Sequence, residues 1–280
     1  MRGLVIATVL AVPALLRAQG PTDVTRERNE YVAWLATAPN SPFAAVAQQP
    51  IGTGLELGPA NSDIPLRGLP AHRLTETGGS VSLEGPEGRR IVPRGRPLTL
   101  GQYTISVAGA PGRGVVTVYA DAGKRERTEH FDYDASLVFI GTLVPPEKRG
   151  TVRVLALDGI ETEANEAGTV TVRIGGTPTQ LRVRRITAAG TEESELEIYF
   201  RDATNGEGTY PAGRFVALLP EPDGRYRLDF NRARNPFCAY STAYPCPAPW
   251  RGNTIPAPVR AGERYSGGGL SQPLPSPEGT

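Results

Sequence analysis

Cysteine is scarce in this chain. Cys238 and Cys246 are the only two in 280 residues. Histidine is as rare, at His72 and His130. Such a set is a poor source of the nitrogen and sulfur ligands of a structural zinc site, so no metal is expected. Charge of one sign is missing as well. The formal net charge is +1, with Arg and Glu mixed along the chain. That excludes the basic excess on one face by which nucleic-acid binders are recognised. Catalytic signatures are absent too: there is no G-x-S-x-G elbow and no phosphate loop ending in Gly-Lys-Ser/Thr. "GTGLELG" at 52–58 begins like a dinucleotide loop. Its third glycine is out of place and no helical pattern follows, so no cofactor is expected. Beyond the first residues, no apolar run approaches the length that spans a bilayer.

The first residues are the exception. "MRGLVIATVLAVPALLRAQG" has Arg2, an apolar run from Leu4 to Leu16, and small Ala18 as a cleavage point. The run is short for a membrane span and is placed as a secretory leader would be. Residues 1–18 are therefore expected to be a signal peptide. The mature chain is expected to be periplasmic or secreted, without a transmembrane segment. In an oxidising compartment Cys238 and Cys246 can form a disulfide. Closing so small a loop would stabilise the fold by about 2–3 kcal/mol in the chain-entropy view. A free structural pair and a metal are the other readings of the two thiols.

What the chain has in quantity is punctuation, with 33 glycines and 27 prolines. Short strands joined by turns suit this better than long helices. One helical pattern stands out at 22–37, with Asp23 as its cap and Val24, Tyr31 and Leu35 on one face; its polar face reads as solvated. β patterns follow at 80–84, 102–107, 114–120, 136–143, 151–157, 169–174, 180–186, 194–200 and 225–230. The expected fold is all-β, with two sandwich- or barrel-like domains after a short helix. Residues 19–45 would be helix and linker, 46–120 the first domain, 121–135 a charged linker, 136–264 the second domain, and 265–280 a disordered tail.

The densest polar cluster lies in 199–214 and 228–236, with Arg201, Asp202, Thr204, Asn205, Tyr210, Arg214, Asp229, Asn231 and Asn235; Tyr240 follows in the cysteine loop. If the two segments are neighbours, these groups can line a ligand site. The competing account is a structural corner, in which Asx side chains bond tight turns and the arginines neutralise them. Asn205-Gly206 reads as a hairpin turn.

Several rare residues then recur in order: Phe200, Asp202, Thr204, Gly206, Thr209-Tyr210, Gly213-Arg214, Leu228-Asp229-Phe230-Asn231, Asn235-Pro236, Cys238-Ala239-Tyr240, Cys246-Pro247 and Arg260-Ala261-Gly262-Glu263. In these the chain resembles a bacterial and archaeal family known as a domain of unknown function, number sixteen eighty-four. The resemblance supplies no catalytic residue. Residues 55–84 resemble the opening of a forkhead-associated sandwich, through Gly58, Asp63-Ile64, Leu66 and His72. Pro59 stands where that family's phosphate-binding Arg would be, and Leu69 where its Ser would be. Those departures remove the charge-assisted clamp, so no phosphothreonine peptide is an expected partner.

Together these readings lead to an exported, non-catalytic binding or interaction module of the cell envelope, with an unknown ligand or envelope partner. A hydrolase using Asp202 and Asp229 with Arg201 or Arg214 is the alternative, and a purely structural envelope component the third.

Overall fold

The computed structural model describes residues 21–121, 125, 128–187, 194–248 and 250–267. The leader at 1–18 and the tail beyond 267 lie outside the described residues. Helix α1 (Pro21–Thr37) opens the chain. It begins before Asp23, because a proline is tolerated in the first turn, where its missing N–H is not needed. Asp23 sits inside that turn and pairs with Arg26 at 3.1 Å. Val24 and Leu35 are buried. Past the helix end, the buried Ser41 hydroxyl donates to the Leu35 carbonyl at 2.6 Å.

Two sheets follow. One is ordered β1-β9-β8-β7, from β1 (Ala45–Pro50), β7 (Leu98–Leu100), β8 (Tyr103–Ala108) and β9 (Val115–Tyr119). The other is ordered β3-β2-β4-β5-β6, from β2 (Leu55–Gly58), β3 (Ile64–Pro65), β4 (His72–Thr77), β5 (Ser80–Gly85) and β6 (Gly88–Val92). They share one core, in which Leu57, Leu74 and Leu83 meet Ile105, Val116 and Val118. Strict alternation in β8 buries Tyr103, Ile105 and Val107 on one face, as the period-2 pattern required.

The second half is a seven-stranded antiparallel sheet ordered β10-β16-β15-β14-β13-β12-β11. Its strands are β10 (Val138–Gly141), β11 (Thr151–Leu155), β12 (Glu161–Ile174), β13 (Thr177–Thr187), β14 (Ser194–Phe200), β15 (Arg214–Pro220) and β16 (Tyr226–Asp229). The sheet curls until Val144, just past β10, exchanges two 2.9 Å backbone bonds with Thr169 of β12. That contact makes the sheet barrel-like. It passes over Gly168, at φ +140, where a Cβ would come within 2.1 Å of the Val144 carbonyl oxygen; only glycine permits the closure. Inside are Val170, Val172, Leu181, Val183, Ile198, Phe200, Val216, Leu228 and Phe230, with Ile255, Val259 and Ala261 closing over them.

Three features differ from the sequence-based reading. Strand β15 lies between 194–200 and 225–230, which do not pair with each other. The turn at Asn205-Gly206 is one corner of a longer loop, 201–213, rather than a two-residue hairpin. Residues 128–131, inside the expected linker, are tied to the C-terminal segment. Phe131 N donates to Gly262 O, and Arg264 N donates to Glu129 O, each at 2.9 Å.

One further detail of topology positions the site. β14 pairs with β15 only from Phe200↔Arg214 to Glu197↔Ala217. Beyond that, β15 pairs with β16 alone, from Leu218↔Leu228 to Pro220↔Tyr226. Ser194–Leu196 and Leu218–Pro220 therefore part, and the barrel wall is split there.

Candidate functional site

The polar signature folds into a brace. The side chains of Asp202 and Arg214 are both fully buried and pair at 2.8 Å. One Asp202 oxygen accepts from Thr204 N at 2.8 Å, from the Thr204 hydroxyl at 2.5 Å and from Val259 N at 3.1 Å. Arg214 also donates to the carbonyls of Val259, at 2.8 Å, and Ala261. Its guanidinium lies 5.3 Å from the Phe200 ring centroid. Asn205 accepts from Asp202 N at 2.6 Å and donates to the Tyr210 carbonyl at 2.7 Å, shaping the loop. Arg201 is exposed and apart from them. A buried charge tolerates this position when its donors find acceptors; both terminal nitrogens of Arg214 do, while its buried Nε has no partner among the described residues. The arrangement ties the 201–214 loop to the closing segment 259–263.

Asp229 and Asn231 form a second knot. One Asp229 oxygen accepts from Asn231 N at 3.0 Å and from its amide at 2.9 Å; the other accepts from Arg232 at 2.6 Å. Asn231 also exchanges bonds with the Asp134 backbone at 2.8 and 2.9 Å. Both carboxylates proposed for hydrolysis are thus occupied on both oxygens by internal donors.

Asn235 and Tyr240 meet at Glu263, a residue the sequence reading placed in the family pattern but not in a site. Glu263 is fully buried. It accepts from Asn235 N at 2.8 Å and from the Tyr240 hydroxyl. The Tyr240 hydroxyl is in turn 3.4 Å from that of Tyr31 on α1. Burial pushes the Glu263 carboxyl up to about 7. Gly262 before it has φ +74, and a Cβ there would lie 2.6 Å from the Ala233 carbonyl oxygen. The chain can approach so closely only at a glycine.

Cys238 and Cys246 are joined in a disulfide with Cα atoms 5.5 Å apart. The Tyr210 hydroxyl lies 3.3 and 3.2 Å from the two sulfurs. The loop of 228–247 therefore does fold beside the 201–213 loop, where it packs around the staple, while its first residues, Asn231 to Arg234, line a cleft on the side of α1. Reduction is expected to lower stability by about 2–3 kcal/mol, as opening a small covalent loop does. Urea denaturation with and without a thiol reductant measures this.

The open chemistry lies elsewhere. A cleft of ≈ 710 Å³ runs between α1 and the split in the barrel wall. Its floor includes Leu196, Leu218, Leu219 and Tyr226, and α1 contributes Glu27, Arg28 and Tyr31. Asn231 is the one expected site residue that reaches it. The polar face of α1 is therefore not simply solvated. Arg28 donates to the carbonyls of Asn231, at 2.7 Å, and Phe131, at 2.9 Å, and so fastens the helix across the cleft. Arg232 is held by Glu27 and Asp229. Arg185 donates only to Ser194 Oγ, at 3.2 Å, among the described residues. Arg234 is exposed and lies 5.3 Å from the Tyr31 ring centroid, with no carboxylate within 4.0 Å among the described residues. Burial, helped by Arg28, pulls His130 down to about 4, so it is neutral in the cleft at pH 7. A smaller cleft of ≈ 380 Å³ carries Asp158, Glu195 and Glu197 and no basic residue.

Residues spaced i, i+3, i+4 and i+7 on one helix line the larger cleft: Val24, Glu27, Arg28 and Tyr31. This spacing was the one available sign of the site in the sequence. Arg185, Arg234 and His130 are brought there by pairing between distant segments and carried no local signal.

No helix of the described residues is long and apolar enough to cross a membrane. No curated protein matches the chain. The solution NMR structure of an uncharacterised protein from Haloarcula marismortui is similar at 31% identity, covering 50% of this chain and 76% of that one, with a TM-score of 0.42. The sequence profile of the family described as "Protein of unknown function (DUF1684)" matches residues 125–264, which are half of this chain and contain both knots, the staple and Glu263. By that match the chain belongs to this family.

Proposed function

We propose that the chain is an exported, non-catalytic binding module of the cell envelope, and that the cleft beside α1 is its binding site. One observation carries the reading. The split between β14 and β15 leaves core leucines Leu196 and Leu218 at the floor of a cleft whose wall holds cations. Binding sites commonly join an apolar floor to a few polar groups in this volume range. Export is supported by the leader pattern at 1–18 and by the cysteine staple, which an oxidising compartment favours. The non-catalytic part is supported by Asp202 and Asp229, each occupied by internal donors and neither lining either of the two clefts described above. The forkhead-associated likeness of 55–84 belongs to this reading as a matter of fold. Leu69, which takes the place of the clamp serine, is buried in the sandwich core.

The test is a saturation-transfer NMR screen of a fragment set containing neutral, anionic and cationic compounds. Fragments are expected to bind the wild type and to be lost in Leu219→Glu, which places a charge on the half-exposed floor. A wild-type chain that captures no fragment, or hits that survive Leu219→Glu, would overturn the assignment.

A further inference from the structure

We propose that the ligand of the α1 cleft is a monomeric amphipathic anion, an aliphatic chain ending in one carboxylate; this rests on the binding-site reading above. The apolar half is argued from the floor. Leu196 and Leu218 belong to the barrel core, and where β14 and β15 part they meet the cleft together with half-buried Leu219 and Tyr226. An extended aliphatic chain laid in the split would continue the core outward from buried Leu196 and Leu218 and cover the exposed parts of Leu219 and Tyr226.

The anionic half is argued from charge. The lining holds Arg28, Arg185, Arg232 and Arg234 against Glu27, Glu30 and Glu195. Arg232 and Glu27 neutralise each other at 2.8 Å. Arg28 is spent on two carbonyls. Glu30 lies 4.0 Å from Arg26 of its own helix. That leaves Arg185 and Arg234, both exposed, as the lining arginines with no carboxylate within 4.0 Å among the described residues. The guanidinium carbon of Arg234 lies over the Tyr31 ring, 5.3 Å from its centroid. A cation held over a ring keeps its N–H groups for other partners, and a guanidinium can receive a carboxylate through two parallel bonds. Tyr31 is itself anchored through Tyr240 to buried Glu263. The cation platform is thus part of the rigid fold, which reduces the ordering cost of binding. A cationic ligand has the weaker case here, since Glu195 is the one lining carboxylate left without an arginine among the described residues, against the two arginines.

The full chain is titrated with decanoate and with decanol below their aggregation limits, by calorimetry at low ionic strength. Arg234→Gln, Arg185→Gln and anionic vesicles form the further arms. Decanoate is expected to bind at least about tenfold more tightly than decanol, as a charged hydrogen-bonded pair adds. Arg234→Gln should erase most of that margin and leave decanol affinity unchanged; Arg185→Gln should act in the same direction. Equal affinity for the two compounds, or indifference to both substitutions, would overturn the anion and leave the cleft standing as a site. Absence of decanoate binding would overturn it as well, while the fragment screen judges the site separately. Association with vesicles but not with free decanoate would make the partner a membrane surface and contradict the proposal.

Discussion

Arg214→Met is expected to destabilise the C-terminal barrel by about 3–5 kcal/mol, because it strands a buried carboxylate. The remaining Asp202 would keep the two Thr204 bonds and the Val259 N–H. It would lose its only ion-pair partner among the described residues, in a site where both side chains have no exposure. The carbonyls of Val259 and Ala261 would lose their donor at the same time, freeing the segment that closes the core. Asp202→Asn should act in the same direction and cost less, since the Thr204 and Val259 bonds can persist. The decisive contrast is the double variant Asp202→Leu/Arg214→Met. Removing both partners of a buried pair is often far milder than removing one. Urea midpoints with unchanged m-values would establish the brace. A loss below about 1 kcal/mol for Arg214→Met would place the pair among ion pairs of little structural weight.

Glu263→Gln is expected to remove a large part of the pH dependence of stability. The carboxyl is pushed up from 4.5 to about 7 by burial, against the bonds from Tyr240 and Asn235 and the charges of Arg234 and Arg214. Between those two values the folded chain binds a proton that the unfolded chain does not. Its stabilising contribution is therefore full below the unfolded value and is lost as pH rises through about 7. The effect is on the order of 3 kcal/mol across the window. Gln mimics the protonated acid: its carbonyl can accept from Asn235 N while its amide faces the Tyr240 hydroxyl. His130 works in the opposite sense. Its value, lowered from 6.5 to about 4, makes stability fall as pH drops through that range. The wild-type curve alone thus mixes two signs, and the quantity to measure is the difference between wild type and Glu263→Gln at each pH. A constant difference from pH 4.5 to 8 would contradict the buried-acid account.

These two residues show how legible the chain was. Alternation and glycine punctuation located strands such as 103–108 and 194–200 and the all-β class, because those patterns are local. β15 escaped notice since "RFVALLP" starts with Arg214, whose burial depends on carbonyls about 45 residues away. β6 escaped for the opposite reason: four of its five residues are exposed, so no period shows. The polar signature was visible as a cluster, but sequence alone left both site and corner open, with turn-bonding Asx residues favouring the corner. What favours the corner is where several of the hydrogen bonds go, to Val259, Ala261, Glu263, Arg264 and Asp134, far outside any local window. Glu263 looked like one acidic residue in a terminal motif; only its enclosure by Tyr240, Asn235 and Ala233 makes it a buried acid. The cleft was the least legible feature, since it arises where two strands stop pairing.

The central claim is that the family's polar signature braces the fold while ligands enter at the split beside α1. Backbone amide shift mapping with decanoate tests it most directly. The account predicts that the perturbed amides cluster at Arg28–Tyr31, Leu196, Leu219 and Arg234. A cluster centred on 201–213 and Tyr240 instead would contradict it, and would return the signature residues to the role of a binding site.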